Sequence, residues 1–375
     1  MKVNTVRSKF LGGINAVKDV VKGEDEANPF RYIKVETMGT DSVLLTGSNG
    51  DVQITSRVFC EVADEGRIAV AGSYLTRFVG AMNEGPLELN NTTSRASLEG
   101  GGAKFTLALG DVESYPVMKG PSEDADGYAK FSLQASTLGQ MLGLVSYAAC
   151  QDTKTRASVC GVNFSADGAC LVLCALDGRR MAMVSHDACL ACAKMSATVP
   201  NAAVSVLQKL LKKFPEGDVL VQVDPNAARF TAPLWSVTTK LVADVYPEFR
   251  RAIPAEVAHD VEIDRELFLR CLDQAALGGW GSGLDEVVIR LEDGMARFEG
   301  RSAVSFAKTE MPVKYDAEKL VIAINPDVIR PVVDCICEKT FRLGVVSPKD
   351  PLRISCSIPF TGVVMPLRER GGSHG

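Results

Sequence analysis

Five apolar positions at helical spacing open the chain: Val6, Phe10, Leu11, Ile14 and Val17. The stripe returns at Leu133, Thr137, Leu138, Met141 and Leu144, beginning 127 positions after Val6, and again at Ile263, Leu267, Phe268 and Cys271. A second apolar pattern starts each time from a strand-like residue. It runs Val70, Leu75, Phe78, then Val199, Val204, Leu207, then Ile324, Ile329, Val332, with internal steps of five and three in all three copies. The junctions repeat too, with Tyr115-Pro116 closing the first unit and Tyr246-Pro247 the second. Self-similarity at a period near 128 residues predicts one supersecondary unit used three times.

Between the helical stripes the pattern alternates with period two, as strands do. Tyr32 to Glu36 and Ser42 to Thr46 are parted by the turn Gly39-Thr40-Asp41, and Asn49-Gly50 leads into Asp51 to Thr55. In the second copy Val219 to Val223 and Ala228 to Ala232 flank Asp224-Pro225-Asn226; in the third, Phe341 to Val346 and Leu352 to Cys356 flank a turn with Pro348. Each unit is expected to hold two helices and roughly eight strands, the helices lying on one side of a sheet, which makes the fold class α+β. The boundaries fall where Pro, Gly and acidic residues cluster. They give domains at 1–121, 128–250 and 251–370, with 371–375 a disordered or added tail. Three like domains suggest an arc, and arcs that join head to tail make rings.

Composition narrows this little: 46% hydrophobic and 23% charged residues are those of an ordinary globular protein. No run is long and apolar enough to cross a membrane, and the start Met1-Lys2-Val3-Asn4 does not read as a signal peptide, so the expected location is cytoplasmic, in association with the nucleoid. A net charge of −5 argues against a protein that coats nucleic acid with its whole surface, but leaves room for a local basic lining. The eleven cysteines read as small buried hydrophobes, Cys335 and Cys337 among them within an apolar helix. His186, Cys189 and Cys192 form one Cys-x-x-Cys cluster without the second pair that a structural zinc site requires, so no metal and no cofactor are expected.

The tools of catalysis are missing. No His-Glu-x-x-His, Gly-x-Ser-x-Gly or phosphate-cradling Gly-x4-Gly-Lys-Ser/Thr occurs, and Gly100-Gly101-Gly102 sits between strands as a hairpin turn. Three segments stand apart from the repeat: Asp244 to Pro254, Thr361 to Arg368, and Ala175-Leu176-Asp177-Gly178-Arg179-Arg180-Met181-Ala182. In order and spacing, through Arg368, they resemble the bacterial sliding clamp family, the beta subunit of the replicative DNA polymerase. The resemblance implies a non-enzymatic homodimeric ring with twelve helices around duplex DNA, sheets outside, and first and third domains joined by strand pairing.

The resemblance also places residues. A partner-peptide groove between the second and third domains would be walled by Val159, Leu176, Gly178, Arg179, Arg180, Met181, Pro247, Arg251, Ala252, Val363, Met365 and Leu367. It would take short linear motifs of the polymerase, clamp loader and repair proteins, by insertion of apolar anchors. Leu176 and Arg179 stand where the family commonly has threonine and histidine. Duplex DNA would meet Arg7, Lys9, Gln151, Arg156, Lys209, Lys212 and Lys213 through its phosphates, without sequence preference. The loop Gly23-Glu24-Asp25-Glu26 is acidic where clamps often carry a basic group. Phe105 and Leu107 on an edge strand, against Leu277, would form the dimer contact. Two other readings are a ring scaffold that binds peptides but not DNA, and a thiol or zinc enzyme using His186, Cys189 and Cys192.

Overall fold

The structure is a computed structural model that describes residues 1–23, 25, 27–168, 170–187, 194–279 and 286–367. Among the described residues six α-helices are formed: α1 Arg7–Val17, α2 Gly72–Ala81, α3 Ala135–Val145, α4 Asn201–Lys213, α5 Arg265–Ala276 and α6 Pro326–Asp334. In chain order each copy of the repeat runs strand, helix, four or five strands, helix, three strands. The sequence period is therefore a structural period.

Each first helix follows directly from a strand, Lys2–Val6, Ala129–Gln134 or His259–Asp264. The leading residues of the helical stripes, Val6, Leu133 and Ile263, thus belong to strands. Leu133 and Ile263 fit the 3.6-residue pattern because strand and helix bury the same side of the chain, whereas Val6 is exposed. α1 buries Phe10, Ile14 and Val17 against the strands Ser42–Ser48 and Val52–Phe59, as a single apolar stripe requires. α5 is capped by Asp264, whose carboxylate accepts from the Leu267 amide at 3.0 Å, and buries Phe268 and Leu272. α6 ends sooner than the apolar pattern suggests. Pro331 lies inside it and Asp334 is its last residue, so Cys335 caps the helix half-buried and Cys337 is exposed, leaving Ile336 alone in the core.

The chain divides into two compact units that cut across the middle repeat: residues 1–139 with 191–241, and 140–190 with 242–375. The first unit carries one sheet of thirteen strands, all neighbours antiparallel. Its seam is the pairing of Trp235–Lys240 from the middle repeat with Val52–Phe59 from the first, Thr239 standing opposite Val52. The second unit repeats the seam: Phe360–Val364 pairs with Arg180–Asp187, Val364 opposite Arg180. This unit also holds a four-stranded sheet in the order Phe306–Pro312, Met295–Arg301, Val287–Glu292, Leu320–Ile324.

Several described strands keep an edge open, Phe306–Pro312 and Ala103–Gly110 among them. Phe306–Pro312 pairs on one side only, at the rim of the four-stranded sheet. Ala103–Gly110 pairs fully with Arg95–Gly100, but its other side meets Arg67–Ala71 only at Leu109 and Gly110. Gly101 and Gly102 turn the chain between this pair with φ of +60° and +80°, the hairpin turn expected of the glycine triplet. Phe105 stacks on Phe78 at 4.5 Å and Leu107 is buried, while Leu277, in the turn after α5, is 66% exposed.

The end of α5 lies almost on the strand Met295–Arg301. A Cβ on Gly300 would overlap the Ala275 carbonyl oxygen, and one on Gly278 would overlap that of Gly300. Backbone faces backbone here, so no side chain can yield. Gly300→Ala is expected to cost at least about 1–3 kcal/mol through overpacking, read as a lowered denaturation midpoint. Unchanged stability would mean that the helix end and the strand are not packed this closely.

Candidate functional site: an apolar patch on a braced hairpin

The hairpin between strands Cys170–Leu176 and Arg180–Asp187 is built by its own residues. The Asp177 carboxylate accepts from the amides of Arg179 (2.9 Å) and Arg180 (3.0 Å) and pairs with the Arg180 guanidinium at 3.1 Å. Gly178 takes φ +85°, which glycine adopts without the penalty of a Cβ. Arg180 reaches further, donating to the Asp327 carbonyl at 3.2 Å and lying 5.6 Å over the ring of Tyr147, which ties the hairpin to the start of α6. The amide of Met365 donates to the Arg179 carbonyl at 2.8 Å, and that of Leu367 to the Ala323 carbonyl at 2.8 Å. These bonds set the Met365 side chain beside the hairpin, 43% exposed.

Beneath the patch Met181 and Val363 stand opposite each other on paired strands, in a buried cluster with Val172, Cys174 and Phe249. Val159 joins a second cluster with Cys150 and Cys160. Leu176 and Tyr246 pack against both. The Tyr246 hydroxyl donates to the Cys174 carbonyl at 3.4 Å; burial raises that hydroxyl far above the usual tyrosine range and pushes the Cys174 thiol up to about 12. Of the twelve expected groove residues, Val159, Met181 and Val363 are therefore buried support. Leu176, Arg180 and Leu367 are half-buried; Gly178, Arg179, Pro247, Arg251, Ala252 and Met365 are exposed.

The expected DNA contacts fare less evenly. Arg7 donates to the carbonyls of Val79 (2.9 Å) and Gly80 (2.6 Å) at the end of α2 and pairs with Glu84 at 3.5 Å, so it caps a helix. Lys209 is paired with Asp19 at 2.5 Å. Lys213 donates to the Gly12 carbonyl at 2.9 Å and lies over the Phe214 ring; partial burial pulls its ammonium below the usual lysine range. Lys9 and Lys212 are exposed. Gln151 donates to the Ala149 carbonyl at 3.2 Å. Arg156 donates to the Asp177 carbonyl at 2.5 Å and lies against Gly178, which makes it a brace of the hairpin. Sequence reasoning missed that role, because a bond to a backbone carbonyl leaves no trace in the acceptor's residue type.

The first unit repeats this scaffold with other side chains. Asn49 accepts from the amides of Asp51 (3.0 Å) and Val52 (2.8 Å), and Gly50 takes φ +88°. The Tyr115 hydroxyl donates to the Thr46 carbonyl, and the Lys240 amide to the Asp51 carbonyl, both at 3.0 Å. Where the second unit shows Arg179 and Met365, this copy has an ion pair, Asp51 with Lys240 at 3.0 Å. Phe30 covers Gly50 so closely that a Cβ there would stand 3.0 Å from its ring. The backbone is shared; the exposed apolar patch is not.

Residues 1–119 match the family model of the DNA polymerase III beta subunit, N-terminal domain, and residues 132–248 match that of its central domain. The chain belongs to this family of bacterial sliding clamps. It is 23% identical to the beta sliding clamp of Chlamydia pneumoniae over 370 residues, covering 98% of this chain and 99% of that one. The beta sliding clamp of Caulobacter vibrioides is 23% identical over 386 residues, with 98% and 100% covered. Among solved structures, the DNA polymerase III subunit beta of Pseudomonas aeruginosa shares the fold at a TM-score of 0.90 and 22% identity, with 98% of this chain and 100% of that one covered. That of Thermotoga maritima does so at 0.88 and 19%, with 98% and 99% covered. The chain is accordingly a replication clamp, a processivity factor without enzymatic activity.

Among the described residues no group of three or more His, Cys, Asp or Glu is placed to hold a metal. Cys189 and Cys192, like Arg368, Glu369 and Arg370, lie outside the described residues, while His186 is half-buried within the strand Arg180–Asp187. No described helix is long and apolar enough to cross a membrane.

A methyl group at Gly178 would hold an ordinary residue in the left-handed region and push against Arg156. Gly178→Ala is expected to lower stability by about 1–2 kcal/mol, seen as an earlier urea midpoint with an unchanged slope. Wild-type stability would mean that the hairpin is not held in this conformation.

Proposed function

We propose that two copies of this chain close into a ring that encircles duplex DNA, slides along it, and tethers other replication proteins through one groove per chain. The three sequence domains, 1–121, 128–250 and 251–370, would supply six repeats and twelve helices to that ring. Its place of action would be the cytoplasm, at the nucleoid. The replicative polymerase, the clamp loader and repair proteins would dock as short linear motifs with leucine and aromatic anchors. The observation that carries the groove is the exposed Met365, whose amide is bonded to the Arg179 carbonyl of a hairpin braced by Asp177, Arg156 and Arg180. Arg179 and Arg251 stand exposed at its rim, where charge steers and orients more than it anchors. Methionine adapts to several partners.

The two seams support a way for the ring to close. In each, the fifth residue of one strand (Thr239 or Val364) stands opposite the first residue of the other (Val52 or Arg180). Leu107 is likewise fifth in Ala103–Gly110, and Phe306 is first in Phe306–Pro312. The hairpin before Phe306 follows the same plan, with the Ser302 hydroxyl accepting from the amides of Val304 and Ser305. The same register would set Leu107 opposite Phe306 of the partner subunit, and Phe105 opposite Lys308 of the partner subunit. Leu277 lies beside this edge, since the Ser305 hydroxyl donates to the Gly278 carbonyl at 2.9 Å. Joining two unpaired edges satisfies backbone groups that otherwise invite aggregation.

The engaged state of Arg7, Lys209 and Lys213 favours one rival, a ring scaffold that binds proteins without DNA. Loading onto a nicked circle by a clamp loader separates the two. A sliding ring stays on the circle through gel filtration and leaves once the circle is cut. Equal retention on the linear product would mean tight direct binding, and failure to stay on either would favour the scaffold. In the groove, Met365→Ala is expected to weaken a Gln-Leu-x-Leu-Phe type peptide by about 1–3 kcal/mol, roughly ten- to a hundredfold, with dimerisation and melting nearly unchanged. Arg251→Ala should act more mildly. Fluorescence anisotropy with a labelled peptide reads both, and wild-type affinity in Met365→Ala would refute the assignment.

A further inference from the structure

Two thiols meet at the base of the loop that carries Arg156. Cys150 and Cys160 pack together with Val159 in one buried cluster, and are 6% and 5% exposed. The Cys150 amide donates to the Val159 carbonyl at 3.1 Å and to the Leu176 carbonyl at 3.2 Å. Cys150 therefore lies beside the peptide bond that leads into Cys160. A disulfide spans Cα atoms about 4.4–6.8 Å apart, which is the spacing of residues that flank a backbone bond of this kind. The Cys160 thiol is within hydrogen-bonding reach of the Cys150 sulfur, and donates to the Arg156 carbonyl at 3.2 Å. Between the two cysteines residues 151–157 are exposed. Their turn is tied by the Asp152 carboxylate, which accepts from the Lys154 amide at 3.0 Å and from the Thr155 hydroxyl. Arg156 ties the loop to the hairpin through the Asp177 carbonyl.

We propose that Cys150 and Cys160 are a redox-active dithiol, which a small disulfide such as oxidised glutathione converts to an intramolecular disulfide that closes the loop 150–160 covalently. One cysteine thiolate attacks a sulfur of the oxidant, releasing one glutathione thiolate and leaving a mixed disulfide. The second cysteine gives up its proton and attacks the protein sulfur of that mixed disulfide, which expels the second glutathione. Two protein thiols and one oxidised glutathione become one protein disulfide and two reduced glutathiones, the two protons passing to the leaving thiolates. The second step is fast because the partner sulfur is already adjacent. The first step is gated. Burial, followed by the neighbouring Cys150, pushes the Cys160 thiol up to about 11, so the closed loop holds it protonated and covered. Oxidation therefore follows opening of the exposed loop, which the Arg156 bond to the hairpin opposes. The chemistry needs neither DNA nor a partner protein, so it stands apart from the clamp reading.

The test is incubation of the intact native protein with oxidised glutathione, blocking of the remaining thiols with iodoacetamide, and mass spectrometry of unreduced peptides. The exposed Cys337 serves as the reference for an open thiol. The peptides that carry Cys150 and Cys160 should appear joined, two hydrogens lighter than their sum, and should separate again in dithiothreitol. This reading needs no variant. Arg156→Ala removes the bond that holds the loop shut, and should form the same link about tenfold faster, as the loss of one charged hydrogen bond implies, with the reactivity of Cys337 unchanged. Two cysteines that merely fill the core would show no such dependence on the brace. Either cysteine unmodified while Cys337 reacts, either one carrying glutathione without the link, or a link that forms only in urea would overturn the dithiol. An equal rate in a folded Arg156→Ala protein would overturn its gating by the loop.

Discussion

Hydrogen bonding along the strand edge is the constraint on which the rest of this molecule depends. A repeat that ends in an unpaired strand leaves a row of backbone donors and acceptors to be satisfied. Twice within the chain another repeat satisfies them, Trp235–Lys240 against Val52–Phe59 and Phe360–Val364 against Arg180–Asp187. The seams are strong enough to regroup the chain: the compact units divide the middle repeat instead of following the sequence boundaries. Among the edges left open, Ala103–Gly110 lies in the first repeat and Phe306–Pro312 in the last. A series with complementary open ends either closes on itself or grows into a filament.

The seams also create the positions at which function diverges. Each brings a capped hairpin against the end of a neighbouring strand, fixed by the same tyrosine bond and the same strand-to-hairpin amide bond. In one copy a lysine and an aspartate meet there and a phenylalanine covers the glycine; in the other a methionine and an arginine are left facing solvent. An ion pair on a surface contributes little stability, but it presents no apolar surface to an incoming leucine. A few side chains on an unchanged backbone thereby turn a structural joint into a recognition site.

Much of this was legible in the sequence because helical and strand periodicities report burial directly. The Leu75 and Phe78 steps of α2 reappear in α4 and α6 since each helix meets its sheet in the same way. Where two elements bury one continuous face the signal blurs, as at Leu133 and Ile263, which belong to strands. The candidate groove was legible as a set of residues, but not its layering: Met181 and Val363 are buried while Met365, two positions on from Val363, is exposed. Least legible were the arginines. Arg7 and Arg156 bond to carbonyl oxygens of residues 72 and 21 positions away, and any residue type can supply a carbonyl.

The mass and outline of the particle test edge closure most directly. One chain is 40.1 kDa, so a closed pair is about 80 kDa. Mass photometry with electron micrographs at micromolar concentration is expected to give that mass and rings with a central opening. Particles of single-chain mass in low and physiological salt alike, or open filaments that lengthen with concentration, would contradict the account.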